Sequence, residues 1–335
     1  CYGNPYNETP NIDSLCSKGL KFNQAYAASP VCSPSRAAIL TGKHPARLQL
    51  TNFLGGEKKD PASPFLPAPY KKYLPSEEFT IAEMFREKGY ATGMAGKWHL
   101  GSFDTLMPYR QGFEYNRVIG KNGLDYYNYS IVTDNHKTIF EDKGKEYLTD
   151  KLTDYGVEFI ENNKDKPFFL YMAYSAPHVL LVPRADKLNK YFFKYNKIPG
   201  EYNPYYAAML ESLDEGVGRL IQTLEKNNLM ENTIIVFTSD NGGVGLPELG
   251  PVPTSCLPLR KWKGHVYEGG IRIPLIMYWK GTIPQGAHTE NYTINTDFYQ
   301  TFGEIINSPK RKFGLDGASL VDVLKNPAKP KERGP

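Results

Sequence analysis

Cys32 lies in the run Pro30-Val31-Cys32-Ser33-Pro34-Ser35-Arg36-Ala37-Ala38-Ile39-Leu40-Thr41-Gly42, whose residue types spell a helix start. Ser33 suits a cap, Pro34 a first turn, and Ala37 to Leu40 a helix interior. A thiol would then stand at the amide-rich, positive end of a helix, where an anion is welcome. Arg36 follows one turn later, and its guanidinium can fork onto two oxygens of an oxyanion. Further along, Gly96-Lys97-Trp98-His99-Leu100-Gly101 sets a lysine and a histidine two residues apart. On a strand those positions face one side, so both would enter one pocket. Asp240-Asn241 offers two adjacent hard oxygen donors suited to Ca²⁺ or Mg²⁺, although Ser-Asp-Asn-Gly-Gly is also good turn chemistry. His178, in Ala176-Pro177-His178, and Lys263, in Trp262-Lys263-Gly264-His265, add an imidazole and an ammonium; Lys263 says little alone.

These residues need elements that bring them to one edge. Helices are expected from Thr9-Pro10 to Gly19, and from Thr80 to Gly89 with Thr80 and Glu83 as a capping box. Two more span residues 146–163 and 201–227, the latter carrying Leu210, Leu213, Val217, Leu220, Ile221 and Leu224 at helical spacing. Strands are expected over 20–26, 91–100, 168–174 and 273–278, and from Asn232 to Ser239 as a central parallel strand. Residues 298–306 read as a helix, and the proline-rich segment 52–76 as a long loop. Alternating strands and helices imply an α/β fold, a mostly parallel central sheet sandwiched between helices. In such sheets the binding crevice lies beyond the carboxyl ends of the strands. Lys97/His99, His178 and Asp240/Asn241 all fall at predicted strand ends, and Cys32 opens the helix after one.

The 335 residues can bury a sizeable core. A net charge of +4 and the lack of any long Lys/Arg block argue against nucleic acid as a partner. No apolar run approaches the roughly 18 residues of a membrane span. The four cysteines (Cys1, Cys16, Cys32, Cys256) form no C-x-x-C and are too scattered for a disulfide scaffold or zinc site. The 24 tyrosines suit packing, and aromatic platforms also suit sugar rings. Both ends read as cut, the chain opening inside Cys1-Tyr2-Gly3-Asn4 and stopping at Pro335.

Cys32-Ser33-Pro34-Ser35-Arg36 resembles the core signature of the type I sulfatases, a branch of the alkaline-phosphatase-like superfamily. Thr9-Pro10-Asn11-Ile12-Asp13, Gly96 to Gly101, Pro177-His178, Ser239-Asp240-Asn241-Gly242 and Lys263-Gly264 to Glu268-Gly269-Gly270 are similar to further family segments, in the same order. Leu315-Asp316-Gly317 to Ser319-Leu320 resembles the passage into a small C-terminal subdomain. The resemblance implies a catalytic α/β domain over 1–310 and the start of a truncated subdomain over 311–335. A first strand bearing a pair of metal-binding aspartates would lie upstream of Cys1.

By the same resemblance, a formylglycine-generating enzyme converts Cys32 to formylglycine. One hydroxyl of the hydrated aldehyde, deprotonated with help from Asp240, attacks sulfur, and the second lets the sulfated adduct collapse. His99 would assist that elimination, while Arg36 and Lys97 orient the hydrate. Lys263 and His178 would bind sulfate and protonate the leaving oxygen. Ca²⁺, with Mg²⁺ as the alternative, would be held by Asp240, Asn241 and the Cys32-derived oxygen. The implied substrate is a sulfated sugar or aryl sulfate, and the implied address is periplasmic, secreted or lysosomal. Residues 102–140, with Asp104, Arg110 and His136, are candidate pocket lining. Two alternatives stand beside this: a phosphonate monoester or phosphodiester hydrolase of the same superfamily, and an inactive glycan-binding pseudosulfatase with unmodified Cys32.

Overall fold

The computed structural model describes residues 1–56, 64–66, 68–102, 104–120, 125–133, 137–195, 202–245, 252–309 and 314–333. In chain order the elements begin with α1 (Pro10–Lys18), β1 (Leu20–Phe22), β2 (Ala25–Tyr26) and α2 (Cys32–Thr41). Then come α3 (Pro45–Leu48), α4 (Ile81–Glu87), β3 (Ala91–Gly96), β4 (Tyr115–Ile119), β5 (Ser130–Val132) and β6 (Thr138–Glu141). Next are α5 (Leu148–Asn163), β7 (Phe168–Ala173), α6 (Ala185–Tyr195), α7 (Pro204–Lys226) and β8 (Ile234–Thr238). The last are α8 (Glu268–Ile271), β9 (Leu275–Trp279), β10 (Ala287–Thr289), β11 (Thr293–Ile294), α9 (Asp297–Ile305) and α10 (Val321–Lys325).

The fold is α/β, as expected, but the strands divide between two main sheets with mixed pairing. One sheet has the order β6-β5-β4-β3-β7, the other β10-β1-β9-β8, and β11-β2 is a small ribbon. Among the described residues β3 pairs parallel with β4 and β7, while β4/β5 and β5/β6 are antiparallel. In the second sheet β1/β10 is parallel, but β1/β9 and β8/β9 are antiparallel. This corrects the mostly parallel sheet. The fourth and fifth strands follow one another closely in sequence, which permits antiparallel neighbours without a helical crossover.

The elements form for local reasons. Thr80 Oγ1 accepts from Glu83 N (3.2 Å) and Glu83 Oε2 accepts from Thr80 N (2.8 Å), completing the capping box of α4. Thr9 makes no side-chain cap; Asp214 of α7 accepts from Asn11 N and Ile12 N instead, tying α1 to α7. Helix α2 is buried along its whole length and ends at Gly42 (φ 66°), where a Cβ would press on Tyr299 at 2.7 Å. The tyrosines mainly pack: Tyr6, Tyr126, Tyr129 and Tyr191 are fully buried.

The strand expected at the centre of the sheet, β8, instead ends the second sheet, and β7 ends the first. Both edges line one cavity of about 910 Å³, and their apolar residues from Phe168 to Met172 and Ile234 to Phe237 are only half-buried. At the other end of the chain, Leu320, Val323 and Leu324 pack in the core cluster that holds Leu20, Leu275 and Met277.

Candidate active site

Helix α2 delivers Cys32 at its first turn, but the cap is not Ser33. Val31 precedes the helix in extended conformation, and Ser33 Oγ accepts from Leu54 N at 3.2 Å. Ser35 is held from behind by Asn295, whose Nδ2 donates to Ser35 Oγ (2.8 Å) while its Oδ1 accepts from Ala28 N (3.2 Å). Sequence reasoning missed Asn295, since nothing local marks it.

Lys97 and His99 lie past the end of β3, so strand alternation does not explain their convergence. Lys97 N donates to Ala173 O at 2.8 Å, extending the β3–β7 pairing by one bond, and His99 has a left-handed φ of 59°. Gly96 (φ 125°) makes this approach possible: a Cβ there would sit 2.0 Å from Ala173 O. Lys97 Nζ reaches Cys32 Sγ at 3.6 Å. On the opposite side Lys263 Nζ reaches the same sulfur at 3.1 Å. Lys263 is set by its N–H to Gly243 O (2.8 Å), and Gly264 N donates to Pro30 O (2.9 Å) just before the helix. The Gly269-Gly270 pair permits this fold-back; a Cβ on Gly269 would meet Lys261 O at 1.9 Å.

Arg36 joins the two sheets. Its Nε donates to Asp240 Oδ2 (2.8 Å), beyond β8, and its Nη1 to Lys97 O (2.5 Å), beyond β3. The guanidinium is 6 % exposed, so the pair is largely desolvated. Against the cost of burial, the charges of Arg36, Lys263 and Lys97 hold the Asp240 carboxyl at about 2. Burial pushes the Lys97 ammonium and the His99 imidazole down. Burial and the Asp240 charge push the Cys32 thiol up. Hydrogen bonding from His178 and His99 and the Lys97 charge overcome both, and the thiol falls to about 4. His178 is oriented by its Nδ1 contact with Val179 O (2.5 Å).

All the predicted site residues therefore meet around the Cys32 sulfur and the tip of β8. Asn241 Nδ2 donates to Gly242 O (2.9 Å), leaving Oδ1 buried without a partner. Asp240 and Asn241 fit a hard cation as oxygen donors, but no cluster of three His, Cys, Asp or Glu side chains forms a metal site among the described residues. Of the suggested pocket lining, His136 lies outside the described residues. Asp104 opens a single 3₁₀ turn, and Arg110 is exposed with its guanidinium over Tyr109 at 5.0 Å.

The α/β scaffold thus carries a polarised side chain ringed by cations, beside hard oxygen donors, an arrangement that can hold an oxyanion. Comparison with known proteins gives the family: the sulfatase family model matches residues 1–308, and the chain belongs to the sulfatase family. It is 35 % identical over 349 residues to an arylsulfatase of Hemicentrotus pulcherrimus, covering 96 % of this chain and 58 % of that protein. It is 28 % identical over 342 residues to the N-acetylgalactosamine-6-sulfatase of Canis lupus familiaris, covering 96 % of this chain and 62 % of that one. The chain thus spans about three fifths of the length of these relatives. Among solved structures, Ps i-CgsB in complex with k-i-k-neocarrahexaose is similar with a TM-score of 0.82 at 28 % identity, covering 98 % of this chain and 73 % of that one. The phosphonate monoester hydrolase of Agrobacterium radiobacter, at 18 % identity and a TM-score of 0.68, shares the fold.

Proposed function

We propose that the protein is a sulfuric ester hydrolase acting on a sulfated carbohydrate, with residue 32 as its nucleophile after conversion of Cys32 to formylglycine. The observation that carries this reading is the convergence of Lys97 and Lys263 on one sulfur, in a chain of the sulfatase family. That sulfur stands where the oxygens of the hydrated aldehyde would stand. The two ammonium groups neutralise the ester's charge and favour a negative centre at residue 32. Arg36 and Lys97 fix the orientation of the nucleophile. His99, lowered by burial, is neutral near pH 7 and able to accept a proton from the hydrate. His178 and Lys263 bind the sulfate group and give a proton to the departing sugar oxygen. The arylsulfatase and N-acetylgalactosamine-6-sulfatase likenesses support the reaction, and the latter together with the carbohydrate complex supports a sugar substrate.

Ca²⁺, or Mg²⁺ in its place, would be held by Asp240, Asn241 and the oxygen of residue 32. When bound it supplies Lewis-acid polarisation of the ester. The orphaned Asn241 Oδ1 supports this. Cys32 is 4 % exposed, so a formylglycine-generating enzyme would act before the chain folds. An extracytoplasmic address rests on the family resemblance; no helix among the described residues is long and apolar enough to cross a membrane.

The test is inorganic sulfate release from a panel of sulfated monosaccharides differing in ring position, with phosphonate and phosphate esters in parallel. Turnover of at least one sugar sulfate in preference to the phosphorus esters is expected. A clear preference for phosphonate monoesters would replace the proposal with the related hydrolase, and turnover of neither class would remove it.

A further inference from the structure

The loop that delivers Lys263 carries more positive charge than the reaction uses. Arg260, Lys261 and Lys263 fall within four residues, and no carboxylate forms an ion pair with Arg260 or Lys261 among the described residues. Elsewhere the surface cations are commonly paired: Arg184 with Asp150 and Asp186, Arg47 with Asp316, Arg272 with Glu268. Charge left unneutralised beside a cationic site costs self-repulsion, so its retention asks for an anionic ligand.

The loop is also built rather than loose. Gly269 N donates to Arg260 O (2.9 Å) and His265 N to Trp262 O (3.1 Å), closing it on itself. Trp262 seats it on the turn after β8, where a Cβ on Gly245 would lie 2.7 Å from the indole. The exposed Arg260 guanidinium lies 4.0 Å from the centre of the Tyr267 ring, and Lys261 Nζ lies 5.2 Å from that of Trp262. His265 packs edge-on to Trp262 at 5.2 Å. A cation held against an aromatic face loses less freedom on binding than a free side chain, and a stacked guanidinium keeps its donor edge for a forked oxyanion contact.

We propose that the loop from Arg260 to Tyr267 is a second anion subsite, in which Arg260 and Lys261 hold a second negatively charged substituent of the substrate while Lys263 serves the scissile sulfate. This rests on the sulfatase reading above and narrows it to glycans carrying at least two anionic groups. The second group is a sulfate or a uronate carboxylate, each of which presents two oxygens that accept from an arginine fork.

The experiment measures dissociation constants by calorimetry on the Cys32→Ala protein, which cannot turn substrate over. One pair of probes is N-acetylgalactosamine 6-sulfate and its 4,6-disulfate. The other is glucuronosyl-N-acetylgalactosamine 6-sulfate and its carboxyl-reduced form. At least one dianion should bind roughly fivefold to tenfold tighter than its monoanionic match at low salt. The arm that shows the preference identifies sulfate or carboxylate as the second group. The added substitutions Arg260→Gln and Lys261→Gln should erase the preference and leave monoanion binding unchanged, and Arg260→Lys should keep part of it. Lys261→Gln alone, at an exposed position, guards against misfolding. No preference in either pair, equal weakening of monoanion and dianion, or no binding of any probe overturns the subsite. A preference that follows Arg260 and Lys261 in a protein whose unsubstituted form releases no sulfate upholds the subsite while the sulfatase reading fails. Turnover without any preference does the reverse.

Discussion

The two main sheets contribute differently to the site. The five-stranded sheet presents Lys97, His99 and His178 from β3 and β7, and β3 is paired on both sides. The four-stranded sheet presents Asp240 and Asn241 from β8, a strand paired on one side among the described residues. The sheets face each other across a cavity lined by β7 and β8, and at its polar end Arg36 bonds to both of them. Backbone pairing thus fixes each half, while between them, beside the helices packed on both, one buried guanidinium ties the two polar tips. The chemistry depends on that second, weaker kind of order, because the Cys32 sulfur is approached by Lys97 from one half and Lys263 from the other.

The strongest way to break this relation is Arg36→Ala. It leaves Asp240 without its buried partner, and a loss on the order of 3–5 kcal/mol in urea unfolding is expected, together with loss of turnover. A loss below about 1 kcal/mol would mean that the halves are held by something else. Next come Lys97→Ala and Lys263→Ala, each expected to lower kcat by roughly 10²–10³-fold, as for removal of one oxyanion-stabilising donor. Their double variant should lose less than the product of the singles, because both act on one sulfate; full multiplicativity in steady-state kinetics would separate their roles.

Acid sharpens the same contrast. Asp240, held at about 2, contributes stability that is fully present above its ordinary 3.8 and fades as pH falls through about 2. Arg36→Gln should therefore flatten the acid branch of the stability curve between about pH 4 and pH 2. An unchanged branch would show that the guanidinium does not set this carboxyl. In unconverted protein Cys32, drawn down to about 4, should alkylate with iodoacetamide at a rate nearly constant above about pH 5, whereas Cys16 and Cys256, raised by burial, should need alkaline conditions. The smallest effect is expected for Thr80→Ala, which removes the cap of α4 on the five-stranded side: about 1 kcal/mol by thermal unfolding, with kcat unchanged.

What was legible in the sequence followed from local chemistry. The Thr80-Glu83 box, the Thr9-Pro10 start and the run before Asp240 are short-range signals, and each became an element close to its expected bounds. The convergence of the candidate site residues was legible because a long motif and several strand ends carried them together. The pairing of the sheets was not, since β4 lies in a segment that reads as glycine- and aromatic-rich loop, and the partner of a strand is set by non-local contacts. Lys97 and His99 were expected together for the wrong reason: a glycine and a left-handed histidine bring them in, not strand alternation. Asn295 and Asp214 act on Ser35 and α1 from more than 200 residues away, beyond the reach of any local pattern.

Sulfate release by the unsubstituted protein and by Cys32→Ala, measured side by side on the best sugar sulfate, tests residue 32 as the reacting centre. The unsubstituted protein should turn over, and the variant should fall to background while its unfolding free energy stays within about 1 kcal/mol of the parent. Sulfate release by the variant at a rate comparable to the parent would contradict the account.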